Sequence, residues 1–498
     1  MTTRYILAID QGTTGSRAFV LDAKGKVVAQ SYQEFKQYYP KPGWVEHDAE
    51  EIWASCVKVI RSAVRSSGID PSKIAAIGLT NQRETTVVWD RRTSKPVHRA
   101  IVWQCRRTTS LCQSASLQKH KRTIHRKTGL VLDPYFSATK IQWLLDNVKG
   151  LRRKAQKGDV LFGTVDSWLV WKLTGGASHA SDMTNASRTM LFNIRTRKWD
   201  EDLLKIFRVP SAILPKVLES GAEFGVAASV IPGLPSGIPI RAVMGDQQSA
   251  LYGQGCFTPG SVKNTYGTGC FLMLNLGKKY VVHSKGLLTT LACDVHGAPV
   301  YALEGSVFIA GAVMQWLRDE LKVIRRSSES EAMIKGLFDS AGVYFVPAFT
   351  GLGAPYWDAD ARGIICGLTR GANVRHIVRA ALESIAYQTK DVFDLMRKAY
   401  GGSIRSLKVD GGACRNDFLM QFQSDLLNAR VIRPRTVDST VMGAAYLAGI
   451  QSGLYKVSDL EKFRGIEAVF SPRMSPKDVS RRYAGWLSAV GKARSEAT

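Results

Sequence analysis

The sequence predicts an α/β protein built from two similar halves with a cleft between them. Each half begins with a short apolar strand, a turn rich in Gly and Thr, and a returning strand, and each continues with amphipathic helices and further strands. The 498 residues are 45% apolar and 22% charged, which is typical of a globular chain with roughly two to four domains. No low-complexity linker separates the halves, and we place the boundary after residue 252, giving domains 1–252 and 253–498.

The first half is predicted to open with a three-stranded meander. Its strands are expected at 5–9, 18–21 and 27–29, because these runs are apolar and are separated by turn residues. The segment 10–16 between the first two strands is rich in Gly, Thr and Ser, so the first hairpin presents hydroxyl groups and flexible backbone.

A helix should follow from Asp48, whose side chain can cap its first turn. Glu51, three residues later, is expected to be the partner of Asp48 in a capping box. Apolar residues recur at helical spacing up to residue 63, and two more strands are then expected at 74–79 and 85–89.

The second half repeats this order of elements. A strand, a Gly-Thr-Gly turn and a returning strand are predicted at 262–266, 267–269 and 270–274. Two further strands are expected next, and Ser306 is expected to open a helix that ends near Leu321. The remaining predicted elements are a helix at 376–398, a strand at 406–409, a tight turn at 411–412 and a helix at 416–427.

The chain is strongly basic, with 68 Lys and Arg against 42 Asp and Glu and a net charge of +26. Eleven of the basic residues lie between Arg91 and Lys127, where there is no acid, and five more lie between Lys149 and Lys157. Such charge is compatible with nucleic acid, anionic membranes or phosphorylated substrates. Because the sequence has no zinc-finger, RNA-recognition or helix-turn-helix motif, we predict a solvated basic face and no nucleic-acid partner.

Membrane insertion and a disulfide framework are not expected. No apolar run approaches the roughly 18 residues that span a bilayer, and the first residues lack the pattern of a signal peptide, so we predict a cytoplasmic protein. Eight cysteines without a CxxC pair indicate buried, reduced thiols rather than disulfides or a zinc site.

The two Gly/Thr turns are candidate phosphate-binding sites. The chain has no P-loop motif, but successive backbone N–H groups in a tight turn can also bind an anion. The turns at 12–15 and 267–269 offer such groups, Thr13, Thr14 and Thr268 add hydroxyl donors, and Arg17 adds charge. Each turn alone is more simply an ordinary hairpin turn, but their corresponding positions in two similar halves favour a shared function.

Two carboxylates are candidates for the chemistry of phosphoryl transfer, which needs a metal ion and a proton acceptor. Asp10, at the end of the first strand, could hold Mg²⁺ directly or through water, or could simply start the turn. Asp246 follows an apolar strand and could be the general base for a substrate hydroxyl. From spacing alone, a helix cap at Asp246 is equally well supported.

A polar cluster and an aromatic residue are candidates for substrate binding. Arg83 only donates hydrogen bonds and the neighbouring Glu84 only accepts them, so together they could hold a vicinal diol, although a local ion pair is the simpler interpretation. Trp103 could form an aromatic wall beside them or belong to the core. Gly412 would let a flat ligand approach the backbone, and Asn416 could bind a base or ribose or cap a helix.

Together these motifs resemble the FGGY carbohydrate kinases, which belong to the actin-like, ribonuclease-H-like ATPase superfamily. The resemblance rests on the segments DQGTT at 10–14, NQRETT at 81–86, GDQQ at 245–248, NTYGTGC at 264–270 and DGG at 410–412. The two signature stretches of the family are similar to YFSATKIQW at 135–143 and to the segment 363–383. The similarity extends from about residue 5 to about residue 486.

The resemblance implies two ribonuclease-H-like, actin-like domains, with glycerol and phosphate bound by domain 1–252 and the nucleotide by domain 253–498. The closest motifs are those of members that phosphorylate glycerol, which implies transfer of phosphate from ATP to glycerol with Mg²⁺, giving sn-glycerol 3-phosphate. That reaction is the first step of glycerol catabolism. The family's members also imply a homodimer or homotetramer.

Residue roles follow from the same resemblance. Asp246 is implied as the general base, and Asp10 as the residue that organises the metal. The residues implied to bind the glycerol hydroxyls are Arg83, Glu84, Tyr135, Asp246 and Gln247, with Trp103 and Phe271 packing on its carbon chain. The residues implied to contact ATP are Thr13, Thr14, Arg17, Thr268, Gly311, Gln315, Gly412 and Asn416.

Two alternatives and two departures from the family pattern stay open. The chain could phosphorylate another polyol or sugar, such as xylulose, gluconate, ribulose or rhamnulose, or it could be a filament-forming or nucleic-acid-binding actin-like protein. The segment 231–238 lacks the Arg that resembles a fructose 1,6-bisphosphate site in some bacterial members, so that inhibition is not expected. No His lies between 208 and 242, so activation by phosphorylation of a loop His is not expected either.

Overall fold

Two large mixed sheets organise the chain, one in each half. They are seen in a computed structural model that describes residues 4–282, 286–358 and 360–495. The strands are, in chain order, β1 (Tyr5–Gln11), β2 (Gly15–Leu21), β3 (Val27–Glu34), β4 (Glu46–His47), β5 (Ile74–Asn81), β6 (Val87–Asp90), β7 (Ala100–Ile101), β8 (Val160–Gly163), β9 (Ala180–Asp182), β10 (Phe192–Asn193), β11 (Lys198–Trp199), β12 (Lys216–Leu218), β13 (Ile240–Gly245), β14 (Val262–Tyr266), β15 (Cys270–Gly277), β16 (Leu288–Cys293), β17 (Pro299–Val307), β18 (Tyr344–Val346), β19 (Ile364–Cys366), β20 (Ser406–Asp410), β21 (Arg430–Pro434) and β22 (Ile466–Phe470).

Helices connect and cover these strands. The α-helices are, in chain order, α1 (Ala49–Ser67), α2 (Thr109–Gln113), α3 (Ala115–Gln118), α4 (Lys121–Thr128), α5 (Ser137–Asn147), α6 (Leu151–Lys157), α7 (Val165–Leu173), α8 (Met183–Ala186), α9 (Glu201–Phe207), α10 (Asp246–Gly253), α11 (Gly311–Asp319), α12 (Glu329–Ile334), α13 (Val374–Tyr400), α14 (Asp417–Leu427), α15 (Ser439–Gln451), α16 (Asp459–Arg464) and α17 (Pro476–Ala493). Short 3₁₀ helices lie at Pro71–Lys73, Ser211–Ile213 and Gly412–Arg415.

The first sheet has the strand order β13-β5-β1-β2-β3. Strands β1 to β3 form the antiparallel meander that the sequence predicts, and β5 and β13 add to it in parallel. The strand predicted at 85–89 begins later, at Val87, and pairs with β8 in a separate small sheet. Parallel β1, β5 and β13 bring the residues after their carboxyl ends to one edge of the sheet.

Both faces of β1 are buried, which explains its continuous apolar run. Leu7 and Ile9 lie in the core formed with α1, whereas Ile6 and Ala8 lie in the core formed with α15. Helix α15 comes from the second half of the sequence yet packs on β1, β5 and β13 of the first sheet. The packing is close enough that a Cβ at Gly78 would lie 2.3 Å from the backbone oxygen of Ala444.

The second sheet repeats the arrangement of the first. Its order is β16-β17-β15-β14-β20-β21-β22, in which β14, β15 and β17 are antiparallel and β20 and β21 add to β14 in parallel. Strands β14 and β20 therefore occupy the positions that β1 and β5 have in the first sheet. This repetition agrees with the predicted duplication; the division at residue 252 stays a prediction, since α15 packs across it.

Residues 82–239, between β5 and β13, form an additional layer with a core of their own. The core includes the buried residues Val88, Ile124, Ile141 and Phe162. Most of the basic residues between 91 and 157 are exposed on this layer, as the sequence predicts. Arg107 is an exception, because it is buried and donates to Glu46 at 2.6 Å.

The cap that Asp48 provides for α1 is confirmed, but its predicted capping-box partner and one predicted helix start are wrong. Asp48 caps α1 by accepting from the N–H groups of Glu50 and Glu51, but the Glu51 carboxylate accepts from the hydroxyl of Tyr38 at 2.6 Å rather than completing a capping box. Ser306 does not open a helix, because it lies in β17 opposite Phe271. Helix α11 starts five residues later, at Gly311.

The prediction of buried thiols is confirmed for seven of the eight cysteines. All eight cysteines are free, and Cys366 alone among them is partly exposed. Among residues 4–282, 286–358 and 360–495, no helix has the length and apolar character that a bilayer crossing requires.

Candidate active site

The residues after β5 form the buried centre of the candidate site. Arg83 and Glu84 follow the strand and are 3% and 1% exposed. Glu84 has a φ of 60°, in the left-handed region that is unfavourable for a residue with a side chain. Such a conformation persists only where its surroundings hold it, and here Arg188 Nε donates to Glu84 Oε1 at 2.6 Å.

Asp246 lies beside Arg83, at the start of α10 after β13. Arg83 Nε is 3.1 Å from Asp246 Oδ1, and the backbone N–H of Gln247 donates to the same oxygen at 2.7 Å. The cap position of α10 is Gly245, so Asp246 is the first residue of the helix rather than its cap. The Asp246 side chain is 29% exposed, so a substrate can reach it.

Two aromatic residues line the site next to the first hairpin. The rings of Trp103 and Tyr135 meet edge to face with their centroids 5.6 Å apart. Trp103 Nε1 donates to Thr13 Oγ1 at 2.9 Å, which connects the aromatic wall to the candidate phosphate turn. Burial raises the pKa of Tyr135 well above its usual range, so its hydroxyl keeps its proton and can donate.

The second sheet also contributes to the site. Phe271 lies on β15 and is partly exposed. Lys263, on β14, is buried and donates from Nζ to Gln247 Oε1 at 2.6 Å, Thr265 Oγ1 at 2.8 Å and the backbone oxygen of Phe271 at 3.1 Å. Lys263 is not among the predicted site residues; the signal available was a lysine inside a predicted strand, the second residue of β14.

Arg188 and Glu304 are two more residues at the site that the sequence pattern does not predict. Both are fully buried, and Glu304 Oε1 accepts from Arg188 Nη2 at 2.8 Å. Glu304 also accepts from Arg83 Nη1 at 2.5 Å and from Arg83 Nη2 at 3.2 Å. A single acid within the buried strand β17 was the available signal, since a buried carboxylate requires partners.

The first hairpin turn places two hydroxyl groups and a carboxylate together. Thr13 and Thr14 lie in the turn, which the N–H of Gly12 closes by donating to the backbone oxygen of Gly15 at 2.9 Å. Asp10, at the end of β1, is 8% exposed. Burial raises its pKa to about 6, Arg17 opposes this rise, and Asp246 and Asp438 add to it.

Arg17 is exposed, and its Nη1 donates to Asp438 Oδ1 at 2.9 Å. Asp438 immediately precedes α15, so this pair joins the first hairpin to the second half of the chain. A phosphate group at the hairpin would compete with Asp438 for the Arg17 guanidinium.

The second hairpin turn is joined to the start of α11. The backbone oxygen of Thr268 accepts from the N–H groups of Ala310 at 2.8 Å and Ala312 at 3.1 Å, and Gly311 N–H donates to the oxygen of Gly267 at 3.0 Å. The side chains of Thr268 and Gln315 are exposed. Thr268, Gly311 and Gln315, which are separated in the sequence, therefore lie together.

The glycine turn after β20 has open space beside it. Gly411 has a φ of 85°, and a Cβ there would lie 2.4 Å from the backbone oxygen of Tyr266, so the turn requires glycine. A Cβ at Gly412 would meet no described atom within 4 Å, which leaves room for a ligand. Asn416 caps α14 by accepting from Leu419 N–H at 2.8 Å, so its oxygen is already engaged.

The donor set fits a magnesium ion held together with phosphate groups. Among the described residues no cluster of three or more His, Cys, Asp or Glu side chains could hold a metal by itself. The pKa of Asp10 is raised by burial and further by Asp246 and Asp438, and a cation bound at Asp10 would oppose that rise. Mg²⁺ typically uses one or two carboxylates plus water and substrate phosphates, and this arrangement offers those carboxylates.

Known proteins resemble the chain over nearly its full length. It is 54% identical to a glycerol kinase of Alkaliphilus oremlandii over 491 residues, covering 98% of this chain and 97% of that protein. It is 53% identical to glycerol kinase 2 of Thermotoga maritima, covering 98% and 99% of the two chains. The crystal structure of Plasmodium falciparum glycerol kinase with ADP superposes with a TM-score of 0.93 at 37% identity and covers 99% of each chain.

The fold and the family models agree with these similarities. The two repeated sheets form the two-domain, actin-like ATPase architecture of these kinases. Residues 5–253 match the N-terminal domain of the FGGY family of carbohydrate kinases, and residues 262–452 match its C-terminal domain. The chain therefore belongs to the FGGY family of carbohydrate kinases.

Proposed function

We propose that the chain transfers the γ-phosphoryl group of ATP to glycerol and releases ADP and sn-glycerol 3-phosphate. The observation that carries this proposal is the contact between Arg83 and Asp246 at 3.1 Å, beside Glu84 and the aromatic pair Trp103 and Tyr135. This small site combines donors, acceptors and an accessible carboxylate. Relatives that are 53–54% identical and named glycerol kinase support the choice of substrate.

Glycerol binding is assigned to complementary hydrogen-bonding groups. Arg83 and Tyr135 donate to the hydroxyl oxygens, and Glu84 accepts from hydroxyl protons. The carbon chain packs between Trp103 and Phe271, which excludes water from the reacting hydroxyl.

Asp246 is assigned as the general base. Its Oδ1 is held by Arg83 Nε and by the N–H of Gln247, so we assign acceptance of the hydroxyl proton to Oδ2. This orientation is fixed before the substrate arrives, since both contacts are made within the protein. General-base assistance of this kind typically contributes about 10²- to 10⁴-fold to the rate.

ATP is the co-substrate, and the two hairpin turns are assigned to its phosphates. Thr13 and Thr14 donate from the first turn, Arg17 supplies positive charge, and Thr268 donates from the second turn. We assign Gly311, Gln315, Gly412 and Asn416 to the nucleoside. Asp10 would hold Mg²⁺, which when bound neutralises the negative charge of the phosphates.

The test is release of ADP with purified protein near neutral pH. We expect turnover with glycerol and Mg²⁺, and loss of turnover when Mg²⁺ is chelated. Xylulose, gluconate, ribulose and rhamnulose serve as competing substrates at equal concentration. Absence of turnover on glycerol, or faster turnover on one of the four sugars, would overturn the proposed substrate.

The assembly and location of the protein are further parts of the proposal. We propose a cytoplasmic homodimer or homotetramer, as the family resemblance implies. Light scattering of the eluting protein at micromolar concentration would measure its mass, and a mass equal to the 54.8 kDa of one chain would contradict an oligomer.

A further inference from the structure

Four buried charges connect the two halves of the chain beneath the candidate site. They are Arg83, Glu84 and Arg188 from the first half and Glu304 from the second, and none of them is more than 3% exposed. Two guanidinium groups are thus balanced by two carboxylates without contact with solvent. Ionised side chains are buried in this way only where they are paired and hydrogen-bonded, because removing a charged group from water costs free energy.

Glu304 is the member of this group that comes from the second half of the chain. It lies in the middle of β17, and its two oxygens accept three hydrogen bonds from Arg83 and Arg188. Burial alone would raise the pKa of Glu304, but Arg188 and Arg83 together lower it to about 2, so it is ionised at neutral pH.

The register of the second sheet explains why Glu304 points toward the site. Strand β15 lies between β14 and β17. Its residue Met273 pairs with Lys263 of β14 on one side and with Glu304 of β17 on the other. Residues opposite each other in a sheet lie on the same face. Glu304 and Lys263 therefore project from one face of the second sheet, and both reach residues that border the site, Arg83 and Gln247.

Arg188 transmits the contact to Glu84. Its Nη2 donates to Glu304 at 2.8 Å and its Nε donates to Glu84 at 2.6 Å, so one planar guanidinium bridges the two carboxylates. The same group lies 5.7 Å from the ring centroid of Tyr135. Each of the three substrate-binding groups Arg83, Glu84 and Tyr135 therefore contacts the Glu304–Arg188 pair directly or through one guanidinium.

We propose that Glu304 and Arg188 are positioning residues that hold Arg83 and Glu84 in the orientation that binds the polyol. This inference rests on the proposed function, because it deepens the account of the same site. It means that the polyol site, most of whose residues lie in the first half of the chain, is complete only when the second sheet is docked against it.

Replacing Glu304 should affect the polyol more than the nucleotide. In Glu304→Gln, Arg83 and Arg188 would lose the negative charge that they share. Arg83 would then turn toward the remaining carboxylates, those of Glu84 and Asp246. We expect the KM for glycerol to rise by about tenfold to hundredfold, the typical effect of losing a partner that orients a binding group, while the KM for ATP changes less than about twofold. Glu304→Asp keeps the charge and should recover part of the loss.

A matched control is available in the same half of the chain. Glu383 is 1% exposed and accepts from Arg379 at 2.8 Å, with Arg482 4.0 Å away, so it too is a buried carboxylate beside two arginines. Glu383→Gln should lower the midpoint of thermal unfolding without changing the KM for glycerol. A purely structural role for Glu304 predicts that the two variants behave alike.

The measurements are initial rates at varied glycerol and ATP, and the rise in the unfolding midpoint that glycerol causes in each protein. If Glu304→Gln does not fold, Arg188→Lys is the variant to test. It keeps the positive charge, but a lysine cannot bridge the carboxylates of Glu84 and Glu304. The same rise in the KM for glycerol, without a rise in the KM for ATP, is expected. An unchanged KM for glycerol in the folded variant overturns the inference. Absence of glycerol turnover in the unmodified protein would instead overturn the proposed function, so the two failures are distinguishable.

Discussion

Lys263 Nζ lies 2.6 Å from Gln247 Oε1, although Lys263 belongs to the second sheet and Gln247 to the helix that follows the first sheet. An ammonium group only donates, so the amide oxygen of Gln247 must face Lys263 and its NH₂ group is directed elsewhere. Burial lowers the pKa of Lys263 to about 8, and Asp410 and Asp246 oppose this decrease. The second half of the chain thus sets the orientation of a residue assigned to substrate binding.

Lys263→Met should therefore weaken glycerol binding. The variant loses three hydrogen bonds and frees the Gln247 amide to rotate, and we expect the KM for glycerol to rise by about 3- to 30-fold, the size of one or two hydrogen bonds. Lys408→Met is the control, because Lys408 is opposite Lys263 on β20 but donates only to the backbone oxygens of Gln254 and Gly255. Equal effects in both variants would contradict a specific role for Lys263.

Asp246→Asn should separate substrate binding from proton transfer. The amide oxygen can still accept from Arg83 and from the N–H of Gln247, so glycerol binding should change little, whereas kcat should fall by at least about 10²-fold. Steady-state rates with a thermal-shift measurement of glycerol binding check both points. Asp478→Asn, in the first turn of α17 beside Arg481, is a surface control. Near-normal turnover in Asp246→Asn would remove Asp246 from the role of base.

The Arg17–Asp438 pair should compete with nucleotide binding. Both side chains are more than a third exposed, so the pair contributes little to stability, but it occupies a cation assigned to the phosphates. Asp438→Asn should lower the KM for ATP by about twofold to fivefold, and Arg17→Gln should raise it by a similar factor. Changes of opposite sign in the KM for ATP would support this competition. A higher KM for ATP in both variants would instead indicate that the ion pair itself is required for binding ATP.

Asp166 should make stability depend on pH. It is fully buried, and burial, with Asp182 adding to it, raises its pKa from 3.8 to about 7. Between these values the folded protein binds more protons than the unfolded chain, so stability falls as pH rises from about 4 to about 7, by up to about 4 kcal/mol.

Asp166→Asn should abolish most of that dependence. The hydroxyls of Thr164 and Ser181, which donate to the carboxylate at 2.5 Å and 2.6 Å, can pair with an amide without a buried charge. The unfolding midpoint of the variant should therefore exceed that of the unmodified protein at pH 8 and approach it at pH 5. If the unfolding midpoints of the two proteins changed with pH in parallel, Asp166 would not be the group that makes stability depend on pH.

Much of the candidate site follows from local sequence pattern. A hairpin depends on hydrogen bonds between neighbouring segments, so the turns at 12–15 and 267–269 could be placed from their composition and from the strands on either side. The carboxyl ends of parallel strands meet at one edge, which explains why Arg83 and Asp246, each following such a strand, lie 3.1 Å apart.

Local pattern was less reliable where a strand and a helix meet. The segment after Ser306 has helical spacing, but pairing of β17 with β15 extends the strand to Val307, so the helix starts only at Gly311. Likewise, Glu51 has the spacing of a capping-box partner, but Tyr38 offers it a hydrogen bond from outside the helix. In both cases a tertiary contact outweighs a local preference.

The α/β class, the duplicated order of strands, the two Gly/Thr turns and the resemblance to the family could all be predicted from the sequence alone. The contacts of Glu304 with Arg83, of Lys263 with Gln247 and of Arg17 with Asp438, and the packing of α15 on the sheet of the other half, are seen only in the folded structure. Local pattern does not predict these contacts, because the residues that make them are far apart along the chain. Arg83 and Glu304 are 221 residues apart and Arg17 and Asp438 are 421 apart, and a buried charge depends on partners that no local pattern identifies.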